Sequence, residues 1–177
     1  MVDPKPMIRL ISGVVGGVVL GLPLVVALPG PARAGCTDPP AAEVNWQRCI
    51  FDGLDLHQVD LRGARLRDGS FFRANLGGSD LSGASAFKAK FFNAAMRETR
   101  LDGAKLAEAD FTKADLTGAS LVGADLRRAR FFEAILRQAN LSDADVGGAD
   151  FARADLSGAT WTDGRLICAE GSIGRCN

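Results

Sequence analysis

Residue types that commonly carry chemistry are few in this chain. It has one histidine, His57. No serine or cysteine stands with an identifiable base and orienting group, which nucleophilic catalysis requires. The glycines recur at regular spacing, as turn residues do, instead of forming a phosphate-binding loop between a strand and a helix. We therefore assign no catalytic residue and expect a protein that is not an enzyme and needs no cofactor.

Two sets of residues have side chains that can bind metals. The four cysteines lack the close spacing of a metal-ligand quartet, so we predict no metal site there. They are Cys36, Cys49, Cys168 and Cys176. Aspartates also recur twenty residues apart, as in Asp60 and Asp80 or Asp125 and Asp145. Their surroundings do not match the calcium-binding nonapeptide repeat, so we interpret them as solvated surface acids.

A five-residue repeat runs through most of the chain and must determine where its side chains lie. Every fifth residue from Phe51 to Leu166 is a large apolar side chain, except Ala86. Alanine or another small residue lies two positions before most of them, with Leu54 and Val59 as the larger exceptions. Neither a helix nor a strand can place a five-residue period on one face. A tandem repeat is therefore the unit of the architecture.

A longer period indicates how the repeats are arranged. Every twentieth residue is a phenylalanine: Phe51, Phe71, Phe91, Phe111, Phe131 and Phe151. Residues twenty apart stack if four repeats make one coil, so we predict that these six form an internal core ladder. Stacked β-type backbone rises about 4.8 Å per layer, which gives a rod about 29 Å long for six coils.

The repeat unit has the form Ala-(Asp/Asn)-(Leu/Phe)-x-x, as in residues 114–118 and 154–158. It closely resembles the pentapeptide-repeat family, from Cys49 to about Leu166. The resemblance implies an all-β solenoid, a right-handed quadrilateral β-helix of about six coils with short caps at both ends. Gly63, Gly83 and two further glycines at the same spacing are expected to stack at a turn with positive φ.

Residues 1–34 have a different composition. Lys5 and Arg9 precede an uncharged run from Leu10 to Leu28, and Ala32-Arg33-Ala34 follows. This order predicts a secretory signal cleaved after Ala34. The apolar run also has about the length needed to cross a bilayer, so a retained membrane anchor is the alternative. A lipoprotein is a weaker interpretation. All three place the solenoid in the periplasm or an equivalent extracytoplasmic space.

Rod geometry selects one of the three possible cysteine pairings. Cys49 and Cys168 lie at opposite ends of the predicted rod, whereas a disulfide needs Cα atoms within about 7 Å. We therefore predict the disulfides Cys36–Cys49 and Cys168–Cys176. We therefore divide the chain after residue 34 into an N-terminal cap over 35–50, a repeat domain over 51–167 and a C-terminal cap over 168–177. Within the N-terminal cap we expect a short helix that begins near Asp38.

Net charge bears on nucleic-acid partners. Some pentapeptide-repeat proteins inhibit DNA gyrase by resembling duplex DNA with an acidic rod. Residues 35–177 contain 20 acidic residues, since Asp3 precedes them, and 18 basic residues, since Lys5, Arg9 and Arg33 precede them. So small an imbalance lacks the field that DNA mimicry or nucleic-acid binding requires. A DNA-mimicking topoisomerase inhibitor is thus disfavoured, and no nucleic-acid partner is expected.

Phenylalanine also occurs where the repeat should be polar or small. Phe72, Phe92 and Phe132 follow core residues in one outward column, and Phe87 points outward at the preceding corner. We call these four residues the aromatic strip. Exposed aromatic clusters tend to mark contact sites, and Arg73, Lys90, Lys113 and Arg130 are expected to flank the rings. The alternative is that the rings fold along the sheet surface and only stiffen the rod.

Together these features predict a non-enzymatic, exported scaffold that binds another protein through a flat solenoid face. The alternative function is a membrane-anchored accessory subunit of a larger membrane complex, with residues 10–28 retained. Self-association through the aromatic strip or the C-terminal end is a further expectation. Solenoids of this type serve unrelated partners, so the resemblance does not identify the partner or the process.

Overall fold

The computed structural model describes residues 35–177, so the predicted signal peptide or anchor at 1–34 lies outside the described residues. Over residues 35–177 the backbone forms no α-helix and no extended strand. It forms parallel bridges between single residues twenty apart, at every fifth position from Asn45↔Arg65 to Asn140↔Thr160. The chain is therefore a β-helix, in which each coil of twenty residues has four bridging positions.

No helix within residues 35–177 has both the length and the apolar character needed to span a bilayer.

Three backbone hydrogen bonds recur along the coils. In one such set, Phe51 N donates to Ser70 O at 2.7 Å, Gly53 N donates to Phe72 O at 2.7 Å, and Ser70 N donates to Cys49 O at 2.9 Å. These bonds join each coil to the next along the axis of the solenoid, so residues twenty apart lie directly above one another.

A tight turn follows each inward-pointing large residue. Leu54 N, for example, donates to Phe51 O, which closes a four-residue turn. The third residue has positive φ in all 24 turns from Glu43 to Gly158, as in a type II turn. The expected positive φ at Gly63 and Gly83 is confirmed, at 65° and 67°. Fifteen of these turns have a residue other than glycine at this position.

For the description of surfaces, we number the four sides by their residues. Side 1 contains 51–55, side 2 contains 56–60, side 3 contains 61–65 and side 4 contains 66–70, each with the residues twenty, forty and more positions on. Residues 46–50 are the first rung of side 4. The last residue of each five bridges to the next coil, and we call it the corner between two sides.

The large residue and the small residue of each repeat fill the interior. Phe71, Phe91, Phe111 and Phe131 are fully buried, while Phe151 at the end of the stack is partly buried. Successive ring centroids of the ladder that begins at Phe51 are 4.9–5.4 Å apart. Most alanines of the small position are also completely buried.

Hydroxyl groups replace two of these alanines. The Ser79 hydroxyl donates to Leu56 O at 2.6 Å, and the Thr99 hydroxyl donates to Leu76 O at 2.8 Å. Both side chains are completely buried. The hydroxyl groups are therefore compatible with the interior, because backbone carbonyl oxygens accept their hydrogen bonds.

The N-terminal cap consists of turns, so the expectation of a helix near Asp38 is wrong. Two prolines follow Asp38, and the backbone N–H of Asp38 bonds to Gly35 O instead of entering a helical pattern. Trp46 is buried with its ring centroid 4.2 Å from that of Phe51, and its Nε1 donates to Asp38 O at 3.2 Å. Trp46 therefore covers the first rung of the core ladder.

At the other end the chain reverses. Antiparallel bridges join Thr160 to Ile167 and Asp155 to Ile173, so the last segment lies over side 2. Leu166 continues the five-residue period but does not point into the core as expected, because it is 42% exposed. Trp161 N donates to Leu166 O at the reversal, which takes Leu166 out of the coil.

A disulfide is present at each end. Cys36 is bonded to Cys49 with Cα atoms 5.4 Å apart, and Cys168 is bonded to Cys176 with Cα atoms 4.8 Å apart. The first links Cys36, near the start of the N-terminal cap, to the first rung of side 4. The second closes the segment that covers side 2 of the last coil. Both ends of the β-helix thus carry a covalently closed loop.

Candidate protein-binding face

The aromatic strip occupies two adjacent sides of the β-helix. Phe72 and Phe92 are neighbours on side 1, with ring centroids 5.6 Å apart and planes inclined by 20°. Phe132 lies two rungs further along, beyond Thr112, and Phe87 lies on side 4. All four rings are partly buried. The structure therefore brings Phe72 and Phe92 into contact and leaves Phe132 apart from them.

Cationic side chains lie over these rings. The Arg67 guanidinium and the Lys88 ammonium lie 4.9 Å and 5.1 Å from the Phe87 centroid, and the Arg73 guanidinium lies 4.7 Å from that of Phe72. Such contacts are attractive because the ring face is electronegative. They give the strip a mixed aromatic and basic surface.

The flanking residues differ in part from those expected. Arg73 contacts the strip as expected, whereas Lys113 pairs with Glu133 at 3.6 Å. Arg67 and Lys88 were missed, as was Arg153, whose guanidinium lies 5.8 Å from the Phe132 centroid. The twenty-residue period could have indicated Arg67, because it lies directly below Phe87 in the same column.

A depression lies on side 4 beside Phe87. The outward column has Phe87, Ala107, Arg127 and Gly147 on successive rungs, so small Ala107 leaves space between two large side chains. Glu108 and Arg128 complete its lining. The repeat pattern alone did not indicate this depression.

Neighbouring aspartates hold Arg127 at the rim of this depression. Its guanidinium lies 2.7 Å from Asp125 and 3.6 Å from Asp145. The hydrogen bond from Arg127 lowers the pKa of the Asp125 carboxyl below its ordinary value, although partial burial opposes the shift. The Asp125 carboxyl therefore remains charged at neutral pH, and its contact with Arg127 holds the arginine side chain along the face.

Arginine also forms ion pairs in the aspartate column that contains Asp60 and Asp80. Arg62 lies 2.6 Å from Asp60, and this hydrogen-bonded contact lowers the pKa of Asp60 to about 2. Within residues 35–177, no group of three or more histidine, cysteine or acidic side chains is arranged to hold a metal ion. The stacked acids thus have arginines as their counter-ions.

His57, the chain's single histidine, is an exposed surface residue. Its Nδ1 lies 2.8 Å from Asp55 Oδ1, and this hydrogen bond lowers the pKa of the Asp55 carboxyl. The pair lies on the open surface near the N-terminal end. It makes a local contact between neighbouring side chains and is not enclosed by a pocket.

Known proteins share the repeat. The family described as Pentapeptide repeats matches in eight copies, over residues 41–68, 94–131 and 134–160. Among solved structures, HetL, a protein involved in heterocyst differentiation regulation from the cyanobacterium Nostoc sp. strain PCC 7120, is 31% identical. The alignment covers 70% of each chain with a TM-score of 0.43.

Two other solved structures are similar. Rfr23 from the cyanobacterium Cyanothece 51142 is 25% identical over 59% of this chain and 85% of its own, with a TM-score of 0.47. QnrB1, a plasmid-mediated fluoroquinolone resistance protein, is 25% identical over 66% of each chain, with a TM-score of 0.43. The chain matches none of the curated proteins.

Proposed function

Because this chain belongs to the pentapeptide-repeat family, we propose that it is a non-enzymatic scaffold that binds another protein through a flat face of its β-helix. The observation that carries the proposal is the aromatic strip. Its stacked rings Phe72 and Phe92 lie on the regular surface of the β-helix, with the Arg73 guanidinium against the Phe72 ring. Aromatic and arginine side chains are the residue types that most often dominate protein–protein interfaces.

We also propose the handedness, the number of coils and the domain bounds of the solenoid. The solenoid is a right-handed quadrilateral of about six coils, with the repeat domain over 51–167 and caps over 35–50 and 168–177. Four bridging positions in every twenty residues support the four-sided coil. A flat side follows from this shape, because the five residues of a repeat span one side between two corners.

The proposal also includes export. Disulfides persist in oxidising compartments, and this structure has one at each end of the solenoid. Residues 1–34 have the order of a secretory signal, with cleavage after Ala34. The scaffold then acts in the periplasm or an equivalent space, without nucleic acid.

The second candidate function is a membrane-anchored accessory subunit. The uncharged run from Leu10 to Leu28 favours it, since its length suffices for one bilayer crossing. Intact mass of the native protein from soluble and membrane fractions separates the two candidates. A soluble species that begins at Gly35 supports the exported scaffold, and a membrane species that retains Leu10–Leu28 supports the anchored subunit.

Partner capture tests the aromatic strip. Tagged protein, produced with its own N-terminus in its native host, is cross-linked and its partners are compared with those of a variant carrying Phe72→Ser and Phe92→Ser. Loss of an aromatic hot spot costs about 2 kcal/mol or more, so we expect capture to fall more than about thirtyfold.

Val122→Ser is the matched control, because Val122 holds the same outward repeat position on side 3. It should retain full capture. Circular dichroism and the thermal midpoint establish that each variant is folded. Undiminished capture by the folded double phenylalanine variant removes the aromatic strip as the binding surface.

A further inference from the structure

Basic residues without acidic partners cluster on one side of the β-helix. Among the lysines and arginines of residues 35–177, nine have no carboxylate oxygen within 4.0 Å of a side-chain nitrogen. Six belong to side 4 and its two corners: Arg48, Arg65, Lys90, Lys105, Arg128 and Arg130. Arg73 lies on side 1 within the aromatic strip, and Arg165 and Arg175 lie near the C-terminus.

The basic residues of side 2 are bound differently. Arg97 lies 3.1 Å from Asp115, and Arg137 lies 3.0 Å from Asp155 and 2.8 Å from Glu170. A cation matched in this way projects little field beyond its own partner, whereas an unmatched cation attracts distant negative charge. Side 4 and its corners carry nine basic and six acidic residues, so positive charge is in excess on this side.

The depression beside Phe87 lies on the same side. Arg128 lines it, and Lys90 and Arg130 occupy the corner between sides 4 and 1. That corner joins the depression to the outward column of Phe72 and Phe92. Positive charge, a recess beside an aromatic ring and a regular backbone thus occur together on one surface.

We propose that side 4 binds an acidic segment of the partner protein, with an apolar side chain of that segment in the depression beside Phe87. This inference rests on the proposed function and names the chemistry of its partner. The unmatched cations Lys90, Arg128 and Arg130 accelerate the encounter and fix the orientation of the segment. The depression and the aromatic strip supply the apolar contact.

Two features favour a protein segment over a uniform polyanion. Side 4 and its corners also carry six acidic residues: Asp68, Glu108, Asp110, Asp125, Asp145 and Asp150. These repel a membrane or a nucleic acid, in which every neighbouring group is negative, but they suit a protein surface of mixed charge. In addition, the cationic groups of Arg67 and Lys88 cover the face of the Phe87 ring, so the ring does not project for insertion into lipid.

The first experiment uses a defined probe. A labelled peptide of about a dozen glutamate and serine residues with one central leucine is titrated with the purified protein, and its fluorescence anisotropy is recorded. We expect saturable binding at about 20 mM salt that weakens at about 300 mM, because salt screens exposed charges. The same peptide with lysine in place of glutamate should not bind.

A charge-matched pair of variants locates the site. Arg128→Glu with Arg130→Glu reverses two unmatched cations on side 4, and Arg165→Glu with Arg175→Glu reverses two elsewhere. All four side chains are exposed, and the change in total charge is the same. We expect the side 4 variant to lose peptide affinity at least about tenfold and the control variant less than about twofold.

Three results would overturn the inference. They are equal loss in both variants, tighter binding to phosphatidylglycerol vesicles or to duplex DNA than to the acidic peptide, and no peptide binding at low salt. Partner capture distinguishes these from failure of the proposed function. If the phenylalanine variant loses its partner while Arg128→Glu with Arg130→Glu keeps it, the scaffold function stands and the acidic-segment inference falls.

Discussion

At the scale of single residues, the third turn position sets the strongest backbone requirement. All 24 of these residues have positive φ, yet 15 carry side chains, among them Lys88, Glu98 and Arg128. An L-residue in this region costs roughly 1–2 kcal/mol relative to right-handed helical geometry. The coil imposes the conformation because the four-residue turn and the axial hydrogen bonds both depend on it.

Gly103 offers a direct measurement of this backbone cost. Its φ is 62°, and a Cβ built there would meet no atom within 4 Å, so a substitution changes the backbone preference without a clash. We expect Gly103→Ala to lower the free energy of unfolding by about 1 kcal/mol. Gly103→Asn should lower it less, because asparagine tolerates this region. Urea unfolding checks both, and equal stability of wild type and Gly103→Ala would contradict the backbone argument.

At the scale of structural elements, the core ladders behave as stacks of neighbouring rungs. In the phenylalanine ladder, the Phe111 ring lies 5.0 Å from Phe91 and 5.0 Å from Phe131, and the rings are nearly parallel. The repeat backbone itself does not require an aromatic residue, since leucine fills most rungs of the other three ladders. The phenylalanine column therefore contributes ring contacts and volume that are specific to side 1.

Phe111→Leu separates these contributions from the fold. The change removes two ring contacts, each worth about 0.5–1.5 kcal/mol, and leaves a small space in a close-packed interior. We expect the free energy of unfolding to fall by about 1–3 kcal/mol in chemical denaturation. Leu116→Met on the next side is the volume-conserving control and should cost less than about 1.5 kcal/mol. A smaller loss for Phe111→Leu than for Leu116→Met would show that the ring stack is dispensable.

The sequence was informative about the elements because the period specifies the environment. A residue such as Phe131 recurs at a position where every rung has the same neighbours, so burial followed from position alone. Leu166 is the exception. It fits the five-residue period but is exposed, because the chain reverses there and no further coil follows. Whether a cation such as Arg128 or Lys90 has a carboxylate partner could not be predicted, because an ion pair depends on which side-chain rotamer reaches which carboxylate across two coils.

At the scale of the whole molecule, the two ends differ from the middle. Inner coils have a coil on each side, whereas the end coils depend on caps. At the C-terminal end, Leu156 N donates to Ser172 O and Gly158 N donates to Cys168 O. The disulfide Cys168–Cys176 holds the segment that supplies these acceptors. Cap and coil therefore stabilise one another, and damage to the cap should remain local.

Removal of this disulfide tests that locality. The loop between Cys168 and Cys176 spans eight positions, for which chain entropy gives about 2–3 kcal/mol of stabilisation. We expect Cys168→Ala with Cys176→Ala to accelerate hydrogen exchange at the amides of Leu156 and Gly158. The amide of Leu76, several coils away, should keep its rate. Equal acceleration at all three amides would mean that the solenoid opens as one cooperative unit.

The direction of the inter-coil hydrogen bonds has a mechanical consequence. They run along the axis, so a pull applied to the two termini peels one coil before it loads the next. Each coil releases twenty residues, which extend to at most about 70 Å of chain. The loop closed by Cys36–Cys49 cannot lengthen. Under tension this protein should therefore yield in evenly spaced steps, and it can act as a force-limited spacer between the points to which its ends are attached.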